Sequence, residues 1–372
     1  MNGALDALIL GGGPAGASLG TLLARAGRSV EILEKTLGPH DKVCGEFLSH
    51  EAVHYLQALG VEPGGLGAAP VSRVRFAGRD VVGECALPFT GLSLTRRILD
   101  EALLERAGDA GATVTRGARV ESLERVDGGW VARLANGDSR FAPTAFLATG
   151  KHDLHGWARP AGKQNDLVAF KMYFRLARGW EAASVARVEI IVFPGGYAGL
   201  LFYPNGTMNL CLLMQRSALH RCGGRWTNLV QHLQRSSRYL ARCLAGSEAL
   251  LAKPLALSSI PYGYLCSSTP DGLWRLGDQA AVIPSFSGDG VSIALHSAYV
   301  AADRYLSGGT ADDFQRHLYG QLQRPVRAAT TISRVMIAAP ALTRSVHFCP
   351  DFLGTITRWT RVSEDVLLSS SR

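Results

Sequence analysis

Ala7-Leu8-Ile9-Leu10-Gly11-Gly12-Gly13-Pro14-Ala15-Gly16-Ala17-Ser18-Leu19-Gly20 is the stretch on which the reading of this 372-residue chain turns. An apolar run enters a glycine turn, a small-residue segment follows, and Ser29-Val30-Glu31-Ile32-Leu33-Glu34 closes the unit with a second apolar run ending in an acid. The order is strand, glycine loop, helix, strand. In such a unit Gly11 permits the tight turn, Gly13 lets the backbone approach a pyrophosphate, and Gly16 lets the helix pack closely on the strand. Pro14 and Ala15 open the helix, whose free N–H groups bind phosphate. Glu34, with Lys35 beside it, stands where a carboxylate accepts ribose hydroxyls. Glycine fills 42 positions of the chain, so the spacing alone would be weak. The strand before it, the helix after it and the terminal acid together make it a dinucleotide site. The same residues spell Gly16-Ala17-Ser18-Leu19-Gly20, the GxSxG of a hydrolase elbow. An elbow serine sits on the strained turn itself, whereas Ser18 falls about a turn into the helix.

Composition fits a two-domain globular chain: 47% hydrophobic, 19% charged, and longer than one ordinary core. No apolar run approaches the roughly 18 residues of a membrane span. The first strand follows almost directly on Met1, leaving no room for a signal peptide, so a cytoplasmic protein is expected. Seven cysteines show no CxxC pair, and no HExxH accompanies them. Neither a metal site nor a disulfide framework is therefore expected. A net charge of +8 is spread along the chain without a Lys/Arg block, which argues against a nucleic-acid partner and for attraction to anionic cofactors and membrane surfaces.

Three later segments extend the pattern. Thr95-Arg96-Arg97-Ile98-Leu99-Asp100 opens an amphipathic helix that leads through Gly111-Ala112 into the strand Thr113-Val114. Phe141 to Leu147 reads as one strand ending in Ala148-Thr149-Gly150. Leu273-Trp274-Arg275-Leu276-Gly277-Asp278 is a strand ending in Gly-Asp, followed by Pro284 and by Ser287-Gly288-Asp289-Gly290-Val291 at a helix start. An acid at a strand end can hold ribityl hydroxyls, and a glycine turn at a helix start offers N–H groups to the pyrimidine edge of a flavin.

With these segments the chain, over about residues 4 to 330, resembles the FAD-dependent oxidoreductases of the p-hydroxybenzoate hydroxylase and geranylgeranyl reductase superfamily. The resemblance implies an α/β (α+β mixed) protein: a Rossmann-type FAD-binding domain, an antiparallel-sheet substrate domain and C-terminal helices. The FAD-binding part would comprise 1–70, 95–165 and 266–325, the substrate part 71–94 and 166–265, and a helical tail 326–372. By the same resemblance Glu34 would bind the adenosine ribose, Arg96 the phosphate and ribityl region with Arg97 as its competitor, and Asp278 the ribityl chain. Gly277, Gly288, Asp289, Gly290 and Val291 would approach the flavin, with Pro284 and Gly288 beside its reactive ring.

The branch stays open. Lys42-Val43-Cys44-Gly45-Glu46-Phe47-Leu48-Ser49 is similar to the Cys-Gly segment near the flavin in geranylgeranyl reductases, which makes Cys44 a candidate catalytic residue. Pro284 instead has the offset from Asp278 seen in the aromatic hydroxylases. The favoured expectation is a monooxygenase that hydroxylates an apolar aromatic or polyketide-like metabolite with O2 through a flavin C4a-hydroperoxide. The alternative is reduction of carbon double bonds in an isoprenoid or lipid chain, and a minor alternative is a non-catalytic flavin-binding protein. Halogenases of this superfamily carry a Gly-Trp-x-Trp-x-Ile-Pro block, which none of the six tryptophans reproduces. Gly150-Lys151-His152-Asp153 replaces the Asp-Gly pair usual in the hydroxylases, so NAD(P)H and a separate flavin reductase partner both remain as electron donors.

Runs Ala169–Leu176, Arg187–Phe193, Tyr197–Tyr203 and Thr207–Met214, broken by Pro194-Gly195-Gly196 and Pro204-Asn205-Gly206, read as strands, the last two joined as a hairpin. Phe193, Tyr197, Phe202, Met208 and Leu210 are the candidates to line a substrate pocket. His152, His155 and His296 are candidate proton carriers. From Arg324 to Arg372 apolar residues at helical spacing, among them Ile332, Met336, Phe348 and Trp359, suggest a packing face or a peripheral membrane contact.

Overall fold

The computed structural model describes residues 4–77, 82–177, 186–339 and 361. Along the chain run β1 (Ala7–Leu10), α1 (Pro14–Arg25), β2 (Val30–Glu34), β3 (Phe47–Leu48), α2 (His50–Ala58), β4 (Ala69–Ala77), β5 (Val82–Ser93), α3 (Arg96–Asp109) and β6 (Thr113–Arg116). Then come β7 (Val120–Val126), β8 (Gly129–Leu134), β9 (Ser139–Ala142), β10 (Thr144–Leu147), β11 (Leu167–Arg175), β12 (Ala186–Phe193), β13 (Gly196–Phe202) and β14 (Thr207–Gln215). The chain continues through α4 (Arg216–Arg221), α5 (Trp226–Ser236), α6 (Arg238–Leu244), β15 (Glu248–Ala249), β16 (Leu255–Ser258), β17 (Trp274–Arg275), α7 (Gly290–Leu306) and α8 (Ala311–Ala338).

A five-stranded sheet has the order β17-β10-β1-β2-β6, and every pairing in it is parallel. Parallel strands buried on both faces read as continuous apolar runs, which is why β1 carries Ala-Leu-Ile-Leu with all four residues buried. The apolar core at this sheet joins Ile9, Leu19 and Ile32 to Leu99 and Leu103 of α3, Leu295 of α7 and Phe314 of α8. Thr95 caps α3 by accepting the Ile98 N–H, and Thr310 with Asp313 forms a capping box on α8. Ser18 is fully buried inside α1, so the elbow reading has no structural basis.

The expected single strand from Phe141 to Leu147 is two strands. Pro143 has no N–H to give a ladder, and the chain changes sheets there: β9 completes the three-stranded β7-β8-β9 sheet while β10 joins the parallel one.

A nine-stranded sheet, in order β15-β11-β14-β13-β12-β4-β5-β3 with β16 paired to β11, collects two distant parts of the chain. Its pairings are antiparallel except at the seam between β4 and β12, which is parallel. Asn205-Gly206 makes the expected turn between β13 and β14, with Gly206 at φ +78.

The two faces of this sheet differ. Phe193, Phe202, Met208 and Leu210 pack with Leu229, Leu233, Leu240 and Cys243 of α5 and α6. Those four were expected to line the substrate pocket; alternation of side chains along a strand sends them to the helical layer instead. The opposite face carries Tyr197 and Leu213 with Ile260, Tyr262 and Val282, and there Met336 and Ile337 of α8 pack. Tyr197 thus lies on the side of the Pro284–Gly288 turn, hydrogen-bonded to Ser285 Oγ at 3.0 Å. Of the expected C-terminal segment, the part up to Ala339 is described; Phe348, Cys349 and Trp359 lie outside the described residues. No helix among the described residues is long and apolar enough to cross a membrane.

Candidate active site

The carboxyl ends of β1, β10 and β17 lie side by side, so Gly11–Gly13, Ala148–Gly150 and Gly277–Asp278 face one crevice, the place where parallel α/β sheets receive ligands. The glycines of the first turn are enforced by geometry. A Cβ on Gly16 would sit 1.9 Å from the Gly11 carbonyl oxygen, and one on Gly11 would sit 2.5 Å from Ala148 O. Gly13 is different: its Cβ position meets only Arg96 Nη2 at 3.9 Å and Lys42 Nζ at 4.0 Å. The start of α1 therefore opens toward two cations, with no side chain capping it. Helix N-terminus plus guanidinium plus ammonium is the chemistry of a pyrophosphate site.

Glu34 serves the loop as well as the cleft. Its Oε2 accepts the Gly12 N–H at 2.8 Å and its Oε1 accepts the Thr36 N–H at 2.9 Å and hydroxyl at 2.7 Å. Burial pushes its carboxyl up, but the Thr36 and Gly12 donors and the Lys42 charge hold it below the ordinary value. An ionised carboxylate accepts about four hydrogen bonds, which leaves capacity for a ribose hydroxyl. Lys35, the expected neighbour contact, is exposed.

Arg96 is the inward arginine of the pair. It holds Asp100 through Nε at 2.7 Å and Nη2 at 2.8 Å, while Lys42 Nζ reaches the same carboxylate at 2.8 Å. Burial pushes Asp100 up, yet Arg96 and Lys42 keep it below the usual carboxylate range. Arg97 is mostly exposed and no nearer than 3.9 Å to Asp41. At the other end of the crevice Asp278 meets Lys151 Nζ at 3.1 Å, and the buried Arg159 donates to the Asp278 carbonyl at 2.7 Å and to the Lys151 carbonyl at 2.9 Å.

Cys44 stands beside this cation cluster. Its sulfur accepts the Glu46 N–H at 3.3 Å, and its carbonyl accepts from Asn209 Nδ2 at 3.1 Å. Gly288, at φ +78, leaves room for the Phe47 ring, 2.7 Å from where its Cβ would be. Asp289 precedes the first turn of α7 and is buried. Burial pushes its carboxyl up to about 7 although Arg361, 3.9 Å away, pulls it down.

Of the expected histidines, His296 lies away from the crevice, fully buried between Tyr55 Oη at 2.7 Å and Gln321 Oε1 at 2.8 Å. Burial pushes it down to about 4, so it is neutral at physiological pH and acts as a core hydrogen-bonding residue. His152 is also held below its ordinary value, by burial and then by the charges of Lys35, Lys42, Arg159 and Lys151.

Glu46 is a site residue that the sequence did not single out. Glu46, at φ +63, is 1% exposed and takes Lys171 Nζ at 2.7 Å, Tyr173 Oη at 2.6 Å, Tyr203 Oη at 2.6 Å, Asn209 Nδ2 at 3.1 Å and the Arg96 N–H at 3.0 Å. Its position inside the Cys-Gly segment was one signal. The partners, on strands far along the chain, gave none.

Residues 4–141 match the FAD binding domain family. The chain is 26% identical over 334 residues to the menaquinone reductase of Mycolicibacterium smegmatis, covering 84% of this chain and 79% of that one. Among solved structures, a flavoprotein/dehydrogenase from Cytophaga hutchinsonii superposes with a TM-score of 0.77 at 16% identity, covering 99% of both chains. A flavin-dependent brominase superposes at 0.78, also with 16% identity, over 96% of this chain and 93% of that one. The structural likenesses establish the fold. The phosphate-ready helix start, the acid at the second strand end and the matched domain agree on the cofactor: the protein is an FAD-dependent oxidoreductase whose FAD-binding domain begins within residues 4–141.

Proposed function

We propose that the protein is a flavin-dependent reductase of carbon double bonds in an apolar, isoprenoid- or quinone-like molecule. The observation that carries this reading is the place of Cys44 at the edge of the cofactor crevice, its sulfur accepting the N–H of Glu46, whose carboxylate in turn accepts the Arg96 N–H. The relative named menaquinone reductase supports it, since the likeness spans most of both chains. FAD, when bound and reduced, supplies hydride. The protein's share is to hold the cofactor and supply the proton. The start of α1 with Lys42 and Arg96 would take the pyrophosphate, Glu34 the ribose, and Asp278, steadied by Lys151 and Arg159, the ribityl chain. The Cys44 thiol would give its proton to the carbon next to the one that receives hydride and recover it from water. Tyr197, Ser285 and the Gly288 turn would form the wall facing the substrate. Electrons would come from NAD(P)H or from a separate reductase.

A second reading, hydroxylation of an apolar aromatic with O2, is favoured by the position of Pro284 after Asp278. Mass spectrometry separates the two. Reduced protein incubated without oxygen with a menaquinone should add two hydrogens to its isoprenoid chain, a gain that survives reoxidation of the quinone ring in air; a product that forms only in air and gains one oxygen atom overturns the reductase reading. Cys44→Ser should keep FAD bound and slow double-bond reduction, and unchanged turnover would remove the thiol from the mechanism.

A further inference from the structure

Glu46 sits in the left-handed region at φ +63, a conformation that costs a non-glycine residue free energy and persists where surrounding structure over-determines it. The over-determination is visible. Lys171 and Tyr173 reach the carboxylate from β11, Asn209 from β14, and Tyr203 from just beyond β13. Lys171 and Glu46 are both fully buried as side chains, and the ammonium also lies 4.4 Å from the centroid of the Tyr173 ring. On the other side, Glu46 binds the residues that face the cofactor crevice: its Oε1 caps the Arg96 N–H at the start of α3, and its own N–H goes to the Cys44 sulfur. Asn209 spans both by donating to Glu46 Oε2 and to the Cys44 carbonyl.

Three side chains of the sheet and Tyr203 just beyond it thus converge on one carboxylate that is also bonded to the Arg96 amide and lies two residues from the thiol of the crevice. A carboxylate needed only to neutralise Lys171 would require neither the strained backbone nor the bond to the Arg96 amide. We propose that Glu46 is a positioning residue, which locks the Cys44 loop and the Arg96 end of α3 to the substrate sheet and so sets where thiol and guanidinium stand relative to the cofactor. The proposal rests on the assignment of the crevice to FAD. It holds for either reading of the reaction.

The test is the rate at which Cys44 is alkylated by iodoacetamide, read peptide by peptide, together with the rate of FAD release from the holoprotein. Asn209→Leu cuts the tether while leaving the Glu46–Lys171 pair in place. The double variant Glu46→Gln with Lys171→Met removes the pair without leaving a buried charge alone. In both, Cys44 should alkylate about tenfold faster and FAD should leave faster, the scale set by losing one or two hydrogen bonds to a charged group. Wild-type rates for both readouts in a folded variant would overturn the proposal and leave Glu46 a charge-neutralising residue of the core. If the double variant does not fold, Asn209→Leu alone decides. The cofactor assignment is judged separately: FAD should protect Cys44 of the wild-type protein from alkylation. Absence of protection would move the crevice, while the comparison of variant with wild type in FAD-free protein would still judge Glu46.

Discussion

Two buried glutamates, one on the nine-stranded sheet and one on a loop packed against it, have opposite surroundings. Glu46, on the crevice side, accepts from four donors, and its ion-pair partner Lys171 is as buried as itself. Glu189, on the helical side, puts one oxygen against Arg187 Nε at 2.6 Å, Tyr239 Oη at 2.8 Å and Arg75 Nη1 at 3.2 Å; its other oxygen has no hydrogen-bond partner among the described residues. Arg75 and Arg187 are each about a fifth to a quarter exposed. The Glu189 cluster can therefore exchange its charges with water, whereas the Glu46 cluster cannot. Burial of the acid alone does not distinguish a surface-anchored ion pair from one built into a site. Burial of the cation and saturation of both oxygens do.

The largest effect should come from halving the closed pair. Lys171→Met leaves Glu46 without its cation and should cost about 3–5 kcal/mol of unfolding free energy, measured by chemical denaturation. A loss under about 1 kcal/mol would erase the distinction between the two clusters.

Asp289 offers a third buried acid with a poorer set of partners, Arg361 at 3.9 Å and Glu51 nearby. Its carboxyl, pushed up to about 7 in the folded protein, contributes stability below its unfolded value near 3.8 and loses it as pH rises to about 7. His296, pushed down to about 4, works the other way: its contribution is lost as pH falls from about 6.5. The two slopes oppose each other in the wild type. Asp289→Asn should uncover the histidine slope, a gain on the order of 2–3 kcal/mol between pH 4.5 and 7. An Asp289→Asn protein whose stability is as flat with pH as the wild type would show that the Asp289 proton is wrongly placed.

Glu189→Gln should cost less, about 1–2 kcal/mol, because its arginines can turn to solvent. Smallest of all is the salt response. Raising the salt from 0.05 to 0.5 M should narrow the gap between Glu189→Gln and wild type by a few tenths of a kcal/mol and leave the Lys171→Met gap unchanged. Equal salt responses would mean that both clusters are wetter than their burial indicates.

The nucleotide half was legible because its constraints are local. Gly11, Gly13, Gly16 and Glu34 lie within one unit; Gly11 and Gly16 are demanded by close approaches that a side chain would obstruct, and Glu34 by the N–H groups of Gly12 and Thr36 that its carboxylate accepts. The strands of the second sheet were legible too, with the ends of β12, β13 and β14 within about a residue of expectation. Their facing was not. Phe193 and Tyr197 look alike in a list of apolar residues, but one meets α5 and the other Ser285, and that choice depends on which face of the sheet the helices cover. Lys171, Tyr203 and Asn209 were invisible for a related reason: a buried polar residue announces itself only through its partner, and here the partner lies more than a hundred residues earlier in the chain.

The parallel seam between β4 and β12 has a consequence for time as well as for shape. Arg75 and Glu189, paired across it, are 114 residues apart in sequence, while β13 and β14 are joined by a tight turn. Loop-closure entropy makes the short hairpin an early event and the seam a late one. The strands that grip Glu46 belong to the later part of the chain, and the loop that carries it to the earlier part. During refolding, then, secondary structure should be largely regained before the crevice exists, and FAD would be captured only as a last, slow step, after which it becomes the latch that keeps the two parts of the chain from separating.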